Sequence, residues 1–313
     1  EKMAAEIVCI GQAVIDCITR GKEEKPHKKN VYRAENISLN TGGDALNESV
    51  ILSRLGHRVK LVCGVGNDVA GNLILYEMET RGVDVSDVTQ SDSLTTPIAN
   101  LMVNRDGTRV SINSEATMLT GYAPSEHVIK GAKVVSLASL FRAPLDDSET
   151  IIRLARAAKE QGTILCADTK IPTYRKLTLD DIREILPLID YIFPNENEGE
   201  YYTGEMEYMA MAEHFRSLGV KNVIIKTGEK GCTVSGEQGQ FSMQACDVNA
   251  VDSTGGGDNF VAGFISALLH GGSLRECCQY GTACAAVCVQ SIGATTGVKS
   301  RESVEEFLKE IRS

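Results

Sequence analysis

The chain has 313 residues, a net charge of −10 at pH 7 and an isoelectric point near 5.1. That charge excludes the broad basic face that a nucleic-acid-binding protein needs. The hydrophobic fraction of 42% is ample for a sizeable core, and the length allows one large α/β domain or two small ones.

The ten cysteines bear on the compartment and on metal binding. The first apolar run, residues 7–15, is too short for a secretory signal, and no apolar run approaches the ~20 residues of a membrane span. We therefore expect a cytoplasmic protein with reduced thiols. Cys277, Cys278, Cys284 and Cys288 lack zinc-site spacing and fall in an alanine-rich helical stretch, so we expect them in the core.

Runs of β-branched residues alternate with longer helical patterns along most of the chain. The predicted strands are residues 6–10, 59–65, 133–138, 163–167, 191–193 and 222–226. The predicted helices are residues 44–55, 70–81, 148–161, 257–269, 273–290 and 303–312. This order predicts a mainly parallel sheet with helices on both faces. Residues 13–39 and 96–113 break the rhythm with short strand-like runs and turns, which predicts antiparallel hairpins outside the α/β core.

The most informative segment is D-S-T-G-G-G-D-N-F at residues 252–260, directly before an apolar helix. Three glycines at a helix start leave backbone N–H groups open to a ligand, and the helix dipole favours an anion such as phosphate. Asp258, in the same turn, is a carboxylate that can accept a proton from an attacking hydroxyl. A capped glycine-rich helix start is the plainer interpretation, but it rarely has three glycines between two aspartates. The segment therefore predicts phosphoryl transfer to an alcohol.

The segment resembles the signature of the ribokinase-like (PfkB) carbohydrate kinase family, which is close to D-T-T-G-A-G-D. Two more motifs of that family follow its order, N-T-G-G-D-A-L-N at 40–47 and N-E-N-E at 195–198. The resemblance covers nearly the whole chain and implies a three-layer α/β sandwich with a mainly parallel central sheet. It also implies a single kinase domain, 1–313, with a small β-lid from 13–39 and 96–113 that serves many members as a dimer surface.

The resemblance assigns roles to individual residues. On the phosphate side these are Asp258 as general base, Gly255, Gly256 and Gly257 as anion hole, Asn195 and Glu198 as holders of Mg²⁺ through water, and Thr227 and Gly228 as lining of the ATP site. On the acceptor side they are Asp16, Gly42, Gly43 and Asn47, as contacts to a monosaccharide. Residues 252–254 and 291–294 match loops that hold a monovalent cation in some members, which makes K⁺ a candidate cofactor.

Plainer interpretations stand beside these roles. Asn195 and Glu198 have the spacing of a helix capping box, residues 227–228 fit a tight turn, and the acceptor residues fit turns and caps. Asp252 and Thr254 are expected to fix the loop by hydrogen bonds. A P-loop kinase is excluded, because the chain has no G-x-x-x-x-G-K-[ST].

Asp44 carries information on the acceptor. Ribokinases tend to have lysine at this position and many fructokinases alanine, while Gly-Gly-Asp resembles some 2-keto-3-deoxygluconate kinases. The lid shows no clear tyrosine and arginine pair for a carboxylate, and Glu115 would repel an acidic sugar. Arg142, Lys170 and Arg175 can supply positive charge, although a surface position is the ordinary expectation for each.

These observations favour an ATP-dependent kinase acting on a primary hydroxyl of a neutral ketose or pentose. A 2-keto-3-deoxygluconate kinase is an alternative. A nucleoside kinase of the same family ranks lower, because the lid stretches contain few aromatic residues, of which Tyr32 is the clearest. A non-catalytic sugar or nucleotide sensor ranks lower still, because the base and the anion hole are both present.

Overall fold

The computed structural model describes residues 4–105 and 108–311. The strands are β1 Ile7–Gly11, β2 Val14–Lys22, β3 Asn36–Gly42, β4 Val59–Val62, β5 Gly64–Gly66, β6 Thr89–Ser91, β7 Ile98–Asn104, β8 Arg109–Asn113, β9 Val134–Leu140, β10 Ile164–Thr169, β11 Tyr191–Ile192, β12 Asn222–Lys226, β13 Cys232–Gly236 and β14 Gly239–Met243. The α-helices are α1 Asp44–Arg54, α2 Val69–Thr80, α3 Ser148–Glu160, α4 Glu196–Thr203, α5 Tyr208–Ser217, α6 Gly256–Leu269, α7 Leu274–Val289 and α8 Arg301–Glu310. Residues 106–107 of the predicted lid and residue 312 of the last predicted helix lie outside the described residues.

Eight strands form the central sheet in the order β14-β13-β12-β11-β10-β9-β1-β4. The six strands from β4 to β12 pair in parallel, and β12, β13 and β14 pair antiparallel at one edge. The predicted mainly parallel sheet is therefore confirmed. The β13–β14 hairpin and helix α5 had no counterpart among the predicted elements, and of α4 only the start was indicated, by the capping-box spacing of Asn195 and Glu198.

Both faces of the sheet are buried, because side chains alternate along each strand. In β1, Ile7 and Cys9 join a core that includes α1, α6 and α7, whereas Val8 and Ile10 join the opposite core with α3 and α5. Helices thus cover both faces and make three layers. The cysteines 277, 278, 284 and 288 are buried and free in α7, as the sequence predicts.

A second sheet has the order β3-β2-β7-β8 and contains the two stretches that the resemblance assigns to a lid, so it is called the lid sheet or lid below. The pairs β2–β3 and β7–β8 are antiparallel, as the hairpin prediction requires, and a parallel β2–β7 pair joins them. The predicted strand 59–65 is divided, because β4 stays in the central sheet while β5 pairs with β6. None of the helices described is long and apolar enough to cross a bilayer.

Candidate active site

Charged side chains collect where the parallel strands of the central sheet end. Asp168 and Thr169 are the last residues of β10, and Lys226 is the last residue of β12. Lys226 Nζ lies 2.6 Å from Asp168 Oδ2, and both side chains are almost wholly buried. Carboxyl ends of parallel strands share one edge of the sheet, where open α/β folds bind their ligands.

The glycine turn begins α6 at this edge. Gly255 precedes the helix with φ 76°, and a Cβ on it would lie 2.4 Å from the Cβ of Ala294, so the position requires glycine twice over. Asp252 accepts hydrogen bonds from the N–H and hydroxyl of Thr254 and, through its other oxygen, from the N–H of Gly293. The predicted fixing of the loop by Asp252 and Thr254 is therefore confirmed.

Asp258 lies in the first turn of α6 and is 7% exposed. Its Oδ2 accepts a 2.7 Å hydrogen bond from Nδ2 of Asn47, so the structure brings together two motifs that are 211 residues apart. Burial, followed by the nearby Asp44 carboxylate, raises the pKa of Asp258 to about 8. A carboxylate with such a pKa is an effective proton acceptor near neutral pH.

Asn195 and Glu198 form the capping box of α4. Asn195 Oδ1 accepts from the Glu198 N–H, and Glu198 Oε2 accepts from the Asn195 N–H and from the hydroxyl of Thr169. The plainer interpretation of this motif is thus realised in the fold. Glu198 is nevertheless buried against Asp168, and burial raises its pKa. An isolated capping box needs no such burial.

These donors fit a magnesium ion that arrives with a nucleotide. No group of three or more His, Cys, Asp or Glu side chains that could hold a metal by itself occurs in residues 4–105 and 108–311. Magnesium keeps most of its waters and is often bound through one or two carboxylates together with substrate phosphates. Glu198 and Asn195 offer oxygen atoms of that kind, and Asn195 pairs through its backbone with Lys226, whose Nζ borders Gly257 of the glycine turn.

Thr227 and Gly228 follow Lys226 at the end of β12. Thr227 is buried, and its N–H donates to the carbonyl of Gly231. Gly228 has φ 57° and begins a single 3-10 turn, and a Cβ on it would meet no atom within 4 Å. The tight turn expected at residues 227–228 is therefore confirmed. The open space above Gly228 leaves room for a ligand.

A cavity of about 350 Å³ lies between the lid and the carboxyl ends of the strands. Its lining residues are Gln12, Val14, Gly43, Asp44, Ala99, Asn113, Ala138, Ser139, Arg142, Lys170, Thr173 and Tyr174. Asp44 accepts from the hydroxyl of Ser139 at 2.5 Å and lies 3.2 Å from Lys170 Nζ. Arg142 donates from Nε to the carbonyl of Ile171. The cavity therefore combines hydroxyl-binding groups with two cations.

Of the four predicted acceptor residues, Asp16, Gly42, Gly43 and Asn47, the lining of this cavity includes Gly43. Gly43 lines the cavity, with φ 98° before α1. A Cβ on Gly42 would lie 2.3 Å from Asp16 Oδ2, so the side chain of Asp16 packs directly on the glycine, and burial raises the pKa of Asp16. Asn47 points instead to Asp258. Glu115 is exposed in a 3-10 turn after β8.

Sequence reasoning named Arg142 and Lys170 as possible cations of the site, and both line the cavity, but it missed the buried pair of Lys226 and Asp168. Lys170 was expected at the surface, but it is half-buried beside Asp44, which raises the pKa of the lysine. Lys226 and Asp168 were given no role. The signal that could have found Lys226 and Asp168 is position, because Lys226 ends a predicted parallel strand and Asp168 is the residue after another.

Three comparisons with known proteins agree. A model of the pfkB family of carbohydrate kinases matches residues 4–301. Ribokinase of Haemophilus influenzae is 28% identical over 282 residues, covering 88% of this chain and 89% of that protein. The 2-dehydro-3-deoxygluconokinase of Bacillus subtilis is 28% identical over 316 residues, covering 96% and 97%.

A solved structure of Arabidopsis thaliana ribokinase, complexed with ribose and ATP, has a TM-score of 0.85 to this chain at 26% identity. The match covers 98% of this chain and 99% of that one, which confirms the predicted fold. The predicted activity, transfer of a phosphoryl group to a sugar hydroxyl, is confirmed by the same relatives. Since the family model spans nearly all of the sequence, this chain belongs to the pfkB family of carbohydrate kinases.

Proposed function

We propose that this enzyme transfers the γ-phosphoryl group of Mg²⁺-bound ATP to a primary hydroxyl of a monosaccharide, with Asp258 as the general base. The observation that carries the proposal is the place of Asp258. It lies in the turn that offers the anion hole, receives a hydrogen bond from Asn47 of the acceptor motif, and is influenced by Asp44 and Lys170 of the cavity. Acceptor, phosphate and base therefore meet at one point.

The residues divide the reaction between them. Asp258 accepts the hydroxyl proton as the new O–P bond forms, because a sugar hydroxyl is too weak an acid to ionise beforehand. The N–H of Gly256 donates to the carbonyl of Ser253 within the turn. The N–H groups of Gly255 and Gly257 would donate to the γ-phosphoryl oxygens and stabilise charge that builds on them. Thr227 and Gly228 line the nucleotide site. Asn195 and Glu198 would hold the magnesium ion through water, and the ion would neutralise charge on the phosphates.

The acceptor cavity has the volume of a monosaccharide site. Asp44, Ser139 and Asn113 offer groups for hydroxyls, with Asp16, Gly42 and Gly43 on the lid side, and these support a neutral ketose or pentose. A sugar acid is the second candidate, because Arg142 and Lys170 line the cavity while Glu115 is exposed outside its lining.

A coupled ADP-release assay tests the proposal. The purified protein is given Mg-ATP and fructose, ribose, tagatose, 2-keto-3-deoxygluconate, fructose phosphate, adenosine or pseudouridine. We expect one sugar to support turnover and the Asp258→Asn variant to lack it. Turnover with a nucleoside alone would replace the monosaccharide by a nucleoside, and ATP binding without turnover on any acceptor would favour a sensor.

A monovalent cation site belongs to the same proposal. The hydrogen bond from Gly293 N–H to Asp252 joins the two loops that match the cation site of some relatives. We expect K⁺ to raise kcat over that measured in tetramethylammonium chloride of equal ionic strength. Equal rates in the two salts would remove potassium from the mechanism.

A dimer through the lid also belongs to the proposal, with the whole chain acting as one kinase domain. Side chains of β3 and β8 leave one face of the lid sheet apolar and exposed, with Ile37 at 66% and Ile112 at 57%, beside Leu39 and Val110. Patches of this kind mark protein interfaces. Light scattering at micromolar concentration is expected to give a dimer, and Leu39→Glu a monomer. A wild-type monomer would refute the proposed dimer.

The ten free cysteines support a reducing, cytoplasmic setting.

A further inference from the structure

Lys226 and its partner Asp168 are charged residues of the site to which the proposed reaction gives no task. The N–H of Lys226 donates to the carbonyl of Pro194 at 2.8 Å, which fixes the end of β12 beside the loop that leads into Asn195. Its side chain is only 13% exposed and its ammonium lies 2.6 Å from Asp168. The backbone of Lys226 is therefore held by this hydrogen bond, and its ammonium by the ion pair with Asp168.

The ammonium reaches the anion hole. A Cβ built on Gly257 would lie 3.3 Å from Nζ of Lys226, so the charge is next to the first turn of α6. A phosphate oxygen that rests on the bare backbone of Gly257 would be within reach of it. An ammonium has three donors, and the bond to Asp168 accounts for one of them. Lys226 can thus keep Asp168 and donate to a ligand.

The charges around Lys226 favour an anionic ligand with its own metal. Burial acts to lower the pKa of Lys226, but Asp168 and Glu198 outweigh it and hold that pKa above its usual value, so the ammonium stays charged. Asp168 already accepts the N–H of Thr169 with its other oxygen, which orients the carboxylate. A fixed, charged ammonium beside a helix N-terminus is suited to stabilise charge on a transferring phosphoryl group.

We propose that Lys226 is a catalytic residue, which donates a hydrogen bond to a non-bridging oxygen of the transferred phosphoryl group. The inference rests on the proposed function. In the step, the acceptor oxygen bonds to the γ-phosphorus, the bond from that phosphorus to the β-γ bridging oxygen breaks, and ADP leaves with the electron pair. The acceptor proton goes to Asp258. Lys226 keeps its proton and neutralises charge, the task that a P-loop lysine performs in a different fold.

The test compares Lys226→Met and Lys226→Arg with Lys221→Met. Lys221, at the other end of β12, makes a 2.7 Å ion pair with Asp190 away from the site and is the matched control. Turnover is measured on the sugar that the wild type accepts, and affinities for Mg-AMP-PNP and Mg-ADP are measured by calorimetry. We expect Lys226→Met to lower kcat about 100-fold and to weaken AMP-PNP about tenfold more than ADP.

Lys226→Arg is expected to recover part of kcat, and Lys221→Met to change neither quantity by more than about twofold. Lys226→Met with kcat near that of the wild type, or equal losses for AMP-PNP and ADP, would overturn the assignment. If Lys226→Met fails to fold, the double variant with Asp168→Asn removes both charges, and the same γ-phosphate selectivity is measured there.

The binding comparison separates the two proposals. A wild type without turnover on any sugar would end the proposed function, yet a selective loss of AMP-PNP over ADP in Lys226→Met would still place the lysine at the γ-phosphate. Turnover in the wild type with no selective loss would keep the kinase and remove Lys226 from its chemistry.

Discussion

The amino end and the carboxyl end of the parallel strands each hold a buried aspartate paired with lysine, but the surroundings of the two aspartates differ. Beside the start of β12, Asp190 accepts bonds from Lys159, Lys221 and the N–H of Leu165. At the carboxyl end of the strands, Asp168 is paired with Lys226. Burial acts to raise the pKa of Asp190, but the Leu165 N–H and the lysines outweigh it and hold the pKa below its usual value. Burial raises the pKa of Asp168 in spite of Lys226.

The difference between Asp190 and Asp168 indicates a functional role for the charged cluster at the carboxyl end of the strands. Asp190 has more partners than it needs and remains partly in water, so its charge is satisfied within the protein. Asp168, Glu198 and Asp258 are buried close together, and burial raises the pKa of each of them. Such an arrangement costs stability unless a ligand brings charge of its own, and clusters of this kind mark functional sites.

Of the variants that compare the two ends, Asp258→Asn at the carboxyl end is expected to have the largest effect on activity. Loss of the base is expected to lower kcat about 10³-fold while nucleotide affinity persists. The raised pKa means that the folded state prefers neutral Asp258, so its ionisation takes away stability as pH rises from about 4 to about 8. The variant should therefore melt higher than the wild type at pH 8. Calorimetry and the ADP-release assay measure both quantities. Unchanged turnover would show that another group is the base.

Asp168→Asn and Asp190→Asn apply one substitution to both ends. Asp168→Asn leaves the buried ammonium of Lys226 unpaired, which is expected to cost about 3 kcal/mol of unfolding free energy and to lower kcat about tenfold or more. Asp190→Asn should cost about 1 kcal/mol and leave kcat unchanged, because its lysines can turn to water. Urea unfolding and steady-state kinetics distinguish the two. If Asp168→Asn and Asp190→Asn lost equal stability and had equal activity, the two ends of the strands would not differ in function as described.

The sequence located the backbone of the site better than its charges. The strand at 222–226 and the start of α1 at Asp44 agree with the structure to the residue, since β-branched runs and glycine boundaries are local signals. The inward direction of Lys226 depends on α6, which packs against it from 30 residues further along the chain. The contact of Asn47 with Asp258 spans 211 residues and had only the resemblance to suggest it. The division of 59–65 into β4 and β5 depends on β6, a pairing that no local pattern records.

The pH profile tests the charges at the carboxyl end of the strands. Asp44 and Glu48 of α1, Asp168 of β10 and Lys170 just after β10 influence or are influenced by Asp258. The base must be ionised, so kcat/KM should rise with pH through its pKa. Asp44→Asn removes a negative neighbour and should shift the acid limb to lower pH, whereas Lys170→Met removes a positive neighbour and should shift it upward. Each shift is expected to be about one pH unit or less, read as a macroscopic value. Shifts in the same direction would show that the limb belongs to another group.

The smallest effect is expected from the lysines at the amino end. Lys159→Met and Lys221→Met each remove one of two cations that share Asp190, and Lys221 is 39% exposed. Each should cost about 0.5 kcal/mol, as solvent-screened pairs do. Because they share one carboxylate, the loss in the double variant should exceed the sum of the single losses. Strict additivity in urea unfolding would mean that the lysines act independently and that Asp190 is no better satisfied than Asp168. A loss in the double variant greater than the sum would show that each lysine compensates for the absence of the other at Asp190. Asp168, which is paired with Lys226 and depends on a ligand for further charge, has no such compensation.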